Sequence, residues 1–427
     1  MNTRIQELMT FLDGAHSVYH VTAALQKMLE GAGYTGLQES RKWDLQPGGK
    51  YYMTRGGSAL IAFRIPETAP QGFLMSAAHT DHPTFKVKEN GELTGKYTRL
   101  AVERYGGMLM APWLDRPLSI AGRVLVETEE GIQSKLVDID RDLLLIPNVA
   151  IHMNRKANEG YAWNPAVDML PLMGGADAAG KLDALLQETA GGKILGHDLS
   201  LYVRQKCVVW GVDEEYISGP ALDDLACVWA CAEGFLQAKD SRSVQVLCAF
   251  DCEEVGSGSA QGAAATLLED VLERICAARG LDLHRMLAQS FMVSADNAHA
   301  VHPNHPEYAD ATNAPVVGGG IVLKFNAAQK YTTDGVSAAV LRKVCAEAGV
   351  PVQTYYNRAD LPGGSTLGNI SLSHVSVPSV DIGIGQLAMH SCYETAGVKD
   401  VVYLLDTMTA YYGKTLLCPA DGKYILE

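Results

Sequence analysis

At 427 residues, with 47% hydrophobic and 20% charged side chains, the chain can bury a full core and has the length of two or three domains. A net charge of −14 argues against nucleic acid as a partner, because phosphate contacts need clustered Lys and Arg. No run of about 18 apolar residues offers a membrane span, and the N-terminus lacks the apolar core and cleavage site of a secretory signal, so the default expectation is a cytoplasmic protein that acts on metabolites or peptides.

In chain order, MNTRIQELMTFLDGAH reads as an amphipathic helix, and Val18, Val21, Leu25 and Met28 keep helical spacing after it. KYYMTRGGSALIAFRI reads as a strand pair turning at Gly56-Gly57. QGFLMSAAHTDHP runs from a buried-strand pattern straight into polar residues, which places His79 at the end of the strand. From about residue 90 to 218 the texture changes to short β-like runs such as LSIAGRVLVE, with a loose stretch around MGGADAAGK. We expect an inserted β-rich domain over 90–218, flanked by the two parts of a main domain at 1–89 and 219–427. In the second part Leu222, Leu225, Trp229, Ala232 and Leu236 keep helical spacing, SVQVLCAF, SFMVSAD, GIVLKFN and SVPSVDIGIG read as strands, and VSAAVLRKVCAEAG as a helix. There is no internal repeat. Nine cysteines with no C-x-x-C pair, several in apolar segments, read as reduced core thiols.

Acidic and imidazole residues fall at or near the predicted strand ends: His79-Thr-Asp81, Asp223-Asp224, Glu253-Glu254, Asp296 and His390. Carboxylates with one imidazole per ion suit Zn²⁺, Co²⁺ or Mn²⁺, and a shared carboxylate can hold two such ions roughly 3.5–4 Å apart. In an extended segment His79 and Asp81 point the same way, so Asp81 can bind the ring nitrogen that His79 does not give to a metal. Glu253 and Glu254 point to opposite faces unless the chain turns, and the glycines of VGSGSAQGA permit that turn. One carboxylate can then bind metal while the other takes a proton from water. Asp223 and Asp224 open a helix, where capping is the ordinary role of Asp, and chemistry alone does not choose between them as a ligand.

Together these segments resemble the aspartyl aminopeptidase family of co-catalytic zinc exopeptidases. The likeness spans nearly the whole chain and rests on AAHTDHP, VERYGGMLMAPWLDRPLSIAGRV, IPNVAIHMN, ALDDL, CEEVGS, SADNAHAVHPN, LKFNAAQKY and QLAMHS. It implies an α/β fold, a three-layer mixed-sheet zinc-exopeptidase catalytic domain carrying the inserted β-rich domain. It implies two divalent ions, Zn²⁺ first with Co²⁺ or Mn²⁺ as alternatives. His79 and Asp296 would bind one ion, Glu254 and His390 the other, and Asp223 would bridge them. Glu253 matches the general base and Asp81 the residue that orients His79. The family motif is L-D-N, so Asp224 is a departure that puts an extra carboxylate near the metals.

The resemblance also implies substrate contacts. His299 would lie near the scissile carbonyl, and Lys324 and Tyr331 would line the pocket for an N-terminal Asp or Glu, with an ammonium as natural partner of an acidic side chain. His152 would reach a neighbouring subunit's site in a homo-oligomer, a dodecamer whose interior admits short peptides. Three rivals remain: a broad-specificity aminopeptidase with the same machinery, a related carboxypeptidase or deacylase, and a non-catalytic assembly protein that keeps zinc for structure. The motifs of the inserted domain argue against the second, and the intact Glu253 against the third, since a structural site needs no base.

Overall fold

The computed structural model describes residues 2–361 and 363–427. A nine-stranded mixed sheet forms its centre, in the order Thr35–Gly36, Lys50–Arg55, Ala59–Arg64, Val244–Phe250, Phe73–His79, Phe291–Ala295, Ser379–Gly383, Ile321–Phe325 and Val352–Tyr356. The middle of the sheet is parallel: Phe73–His79 pairs in parallel with both Val244–Phe250 and Phe291–Ala295, and the latter with Ser379–Gly383. Buried on both faces, these strands read as continuous apolar runs with no alternation. The Lys50–Arg55 and Ala59–Arg64 hairpin turns at Gly56 and Gly57, both at positive φ, which glycine adopts without steric cost.

Helices cover both faces and make three layers. Along Phe73–His79, Leu74 and Ala78 enter one core, with the helices Val18–Gly31, Leu222–Gln237, Gly335–Ala348 and Val398–Tyr412. Phe73, Met75 and Ala77 enter a second core on the opposite face, where Leu267–Arg279 packs. The side-chain period of two assigns alternate residues to the two layers.

A six-stranded antiparallel sheet with its own core contains Thr84–Leu93, Tyr97–Tyr105, Leu118–Thr128, Gly131–Asp138, Leu172–Gly175 and Ile194–Val203. Its first strand begins at Thr84, ahead of residue 90. The stretch MGGADAAGK is more ordered than the sequence suggests. Leu172–Gly175 is an edge strand, Ala176–Ala178 a helical turn, and Lys181–Ala190 a helix that buries Leu182, Leu186 and Ala190. A five-stranded sheet, which includes Tyr216–Gly219, Glu394–Gly397, Gly385–Leu387 and Ala298–His299, lies beside the main one and carries the chain into the site.

Candidate active site

Parallel strands deliver their carboxyl ends to one side of the sheet, where ligands of α/β proteins bind. His79 ends its strand, Asp296 directly follows Phe291–Ala295, and Glu253 and Glu254 lie in the helical turn Glu253–Val255 after Val244–Phe250. Cys252, Gly256 and Ser257 have positive φ, and this is the bend that brings two adjacent glutamates to one place. Asp223 and Asp224 open the helix Leu222–Gln237 with non-helical backbone and do not cap it. His390 follows Gly385–Leu387, itself at positive φ.

Asp223 stands at the centre. Its Oδ1 is 3.5 Å from Nε2 of His79, and its Oδ2 is 3.5 Å from Nε2 of His390. Nε2 of His79 is also 4.0 Å from Oδ1 of Asp296, and Nε2 of His390 is 3.5 Å from Oε1 of Glu254. These separations are too long for hydrogen bonds. The three at 3.5 Å match ligands that share an ion, since two atoms each about 2.0–2.2 Å from a tetrahedral metal lie roughly 3.3–3.6 Å apart, and the Asp296 oxygen stands somewhat wider at 4.0 Å. Three overlapping groups result, His79 with Asp223, Asp224 and Asp296, His79 with Glu253 and Glu254, and Asp223 with Glu254 and His390, each with its ligand atoms within 4.8 Å of one another.

Both imidazoles are held for ligation. Nδ1 of His79 donates to the carbonyl oxygen of Asp81 at 3.0 Å, and Nδ1 of His390 to the carbonyl of Gly107 at 2.6 Å, so each Nε2 is left as a lone pair. The Asp81 carboxylate does a second job. It accepts the backbone N–H groups of Glu253 and Glu254, both at 3.1 Å, and the Tyr105 hydroxyl at 2.7 Å.

Five carboxylates, of Asp223, Asp224, Glu253, Glu254 and Asp296, and two imidazoles are packed together here, largely away from water. Burial alone would raise Asp223, but contact with His390 and His79 holds it low. Burial pushes Glu254 up to about 9, with Asp223 adding to the rise, and Glu253 up to about 7, with His79 opposing. Burial would lower His390, yet Asp223 and Glu254 drive it to about 10. The cavity therefore favours positive charge. Oδ1 of Asp223, Oδ1 of Asp224 and Oε1 of Glu254 are buried and meet no donor, a state costing about 1–3 kcal/mol or more per group. A pair of cations would satisfy all three, so the residues present fit a metal centre.

Two expected substrate residues lie behind the cleft wall. Lys324 is 1% exposed and Tyr331 is buried beneath it, its ring centroid 5.1 Å from Nζ. His299 is open to solvent, edge-on to Tyr355 at 6.1 Å. It borders a cavity of about 400 Å³ that also touches Tyr308, Tyr355, Arg358, Leu361 and Met389. His152 stands apart, exposed on a turn near the six-stranded sheet, and takes no part in the cluster's hydrogen bonds. Sequence reasoning missed Glu394. This buried carboxylate accepts the backbone N–H of His390 at 2.7 Å and that of Asp223 at 2.9 Å. Asn297 and Gln386 were also missed: Asn297 bonds to the carbonyl of Leu222 and to Oε1 of Gln386, both at 2.8 Å.

The family model for aminopeptidase I zinc metalloproteases (M18) matches residues 11–412. A Clostridium novyi protein described as probable M18 family aminopeptidase 2 is 42% identical over 422 residues, covering 95% of this chain and 98% of that protein. Among solved structures, the Ape4 chain of an Ape4 and Nbr1 complex superposes with a TM-score of 0.93 at 33% identity, covering 96% of this chain and 85% of that one. The mApe1 dodecamer of S. cerevisiae superposes at 0.84 with 28% identity, covering 95% of each. A family match over nearly the whole length, with a metal-ready cluster at the strand ends, makes this chain a metallo-aminopeptidase of the M18 family.

Proposed function

We propose that the protein removes the N-terminal residue of short peptides with two divalent ions, one held by His79, Asp223 and Asp296 and the other by Asp223, Glu254 and His390. The observation that carries this reading is the position of Asp223, with one oxygen toward each histidine at 3.5 Å. When bound, the ions lower the pKa of a shared water and polarise the peptide carbonyl. Zinc is the metal of the family description, and Co²⁺ and Mn²⁺ suit the same donors.

Glu253 takes a proton from the attacking water and returns it to the leaving amine. A base needs freedom to move, and Glu253 is half-buried, its backbone fixed through the Asp81 carboxylate. His299 faces the cleft, where it can donate to the oxygen on which charge develops. Subunits assemble as in the homologous dodecamer, and His152 reaches the site of a neighbour. Nine free cysteines suit a reducing cytoplasm.

The resemblance implies a preference for N-terminal Asp or Glu through Lys324. The side-chain geometry favours a broader preference, because no donor of Lys324 is open to the cleft. The test is hydrolysis of aminoacyl-p-nitroanilides by the native chain and by Glu253→Gln, with and without chelator. Cleavage abolished by both treatments is expected. Activity that survives chelation, or a complete lack of activity with metal restored, would overturn the reading, and the spread of rates across Asp, Glu, Ala and Leu substrates decides the preference.

A further inference from the structure

The six-stranded sheet reaches the cluster at one corner. Its strand Tyr97–Tyr105 ends with Tyr105 paired to Thr84, the first residue of Thr84–Leu93, which follows shortly after Asp81. The chain leaving that corner touches the cluster at each step. The Tyr105 hydroxyl donates to Oδ2 of Asp81 at 2.7 Å, and the same oxygen accepts the backbone N–H of Glu254 at 3.1 Å. Gly106 has φ +77°, and a Cβ placed on it would lie 3.1 Å from Cβ of Glu254, so a glycine is needed for the chain to pass this close. The carbonyl of Gly107 accepts the Nδ1–H of His390 at 2.6 Å, and the N–H of Leu109 donates to the carbonyl oxygen of His390 at 3.0 Å. One short segment thus bears on the backbone and side chain of Glu254 and on the ring and backbone of His390.

The His79 side of the cluster is held from elsewhere. His79 donates its backbone N–H to Oδ2 of Asp224 at 3.2 Å and its Nδ1–H to the carbonyl of Asp81 at 3.0 Å, while the backbone N–H of Asp296 goes to the carbonyl of Ile382 at 2.9 Å. These partners sit on the main sheet, its helices or the loops at its strand ends. Among the described residues, no hydrogen bond joins the six-stranded sheet to His79 or Asp296.

We infer that Tyr105–Leu109 is a positioning segment for the ion held by Glu254 and His390, so that the six-stranded sheet governs the affinity of this ion while the ion at His79 and Asp296 depends on the main sheet alone. This rests on the two-ion reading above. Movement of the six-stranded sheet would loosen one ion and leave its neighbour in place.

The test loads the full-length protein with Co²⁺, which suits the same donors, and removes it stepwise with a chelator while the visible spectrum is followed. In Tyr105→Phe, which takes away one hydroxyl and keeps the ring, one ion is expected to bind about 10–100-fold more weakly, the usual cost of losing a partner behind a metal ligand. The other should keep its native affinity, and activity should return as free Co²⁺ is raised. The spectrum of the one-ion form should match that of His390→Ala, which keeps only the site at His79. Gly106→Ala, whose added methyl crowds Glu254, should give the same pattern. Equal weakening of both ions in Tyr105→Phe, no weakening of either, or a one-ion spectrum that matches His79→Ala overturns the inference. Metal content of the native protein separates the two levels: fewer than two ions per chain sinks the two-ion reading itself, whatever the variants do.

Discussion

Glu394 accepts the backbone N–H of His390 at 2.7 Å through Oε1, and with its other oxygen it accepts the backbone N–H of Asp223 at 2.9 Å. One buried carboxylate thus ties the backbone of Asp223 to that of His390, the two residues proposed to share an ion. Burial pushes its pKa up to about 8, with Asp223 adding to the rise and the two backbone donors opposing it. In Glu394→Gln one oxygen becomes an NH₂, so either His390 or Asp223 presents an N–H to another donor. Metal affinity is expected to drop about 10–100-fold, with activity recovered at saturating metal. Chelator competition measures this, and affinity equal to that of the native protein would show that the tie through Glu394 does not hold the two ligands.

Arg358 is the cation that borders the cavity beside His299, and its charge is already matched. Nε and Nη2 each bind Asp360 at 2.6 Å, and Nη1 donates to the carbonyl of Glu307. Asp360→Asn removes the counter-charge at an exposed position. The freed guanidinium should raise kcat/KM for N-terminal Asp and Glu by about 2–5-fold over Leu, the size of effect an exposed ion pair gives, and the gain should shrink with added salt. Rates that do not shift toward acidic substrates would place the side chain of the N-terminal residue away from this cavity.

The proposed ligands were legible because His79 and Asp296 are polar residues that end or follow an apolar strand, as Asp296 does after SFMVSA, and because the motifs of the resembled family run through all five. Glu394 was not legible. It is one acid at the start of the short strand Glu394–Gly397, and its partners are backbone N–H groups, one of them 171 residues away, which no side-chain pattern announces. The helix Lys181–Ala190 was hidden for a different reason: the glycines and alanines before it resemble a loop until Leu182 and Leu186 find the core of the six-stranded sheet. Lys324 was visible as a charge inside the buried strand IVLKF. What the sequence could not show is that its three donors turn inward to Asp296 and Asn297, which depends on the register of strands far apart in the chain.

Seven cysteines are buried, and only Cys252 and Cys418 are half-buried. Burial pushes Cys276, Cys345 and Cys392 up to about 11 and Cys231 up to about 12, from 9.0. At pH 8 a thiol reagent should therefore label two cysteines in the folded protein and nine after unfolding. The folded state keeps these protons at a pH where the unfolded chain releases them, so their contribution to stability is complete below pH 9 and is lost as pH rises toward 11–12. A denaturation midpoint that stayed level from pH 8 to 11, or three or more thiols labelled in the folded protein, would contradict the packing described for the three cores.

Glu253 can accept a proton only as a carboxylate. Burial, reinforced by Asp296, Asp81 and Asp223 and opposed by His79, pushes it up to about 7, and bound cations pull it down from there. The acid limb of kcat/KM should therefore have its midpoint at or below about 7, with activity falling about tenfold for each pH unit further down. Glu253→Gln should cost about 10²–10⁴-fold in kcat and abolish that limb while the ion content per chain stays unchanged, because the ligands Glu254 and Asp223 keep their positions. If the variant instead loses metal, Glu253 is acting as a ligand. If it keeps the limb, the titrating group is another member of the cluster, and Glu394, pushed up to about 8, is the first to examine by the same substitution.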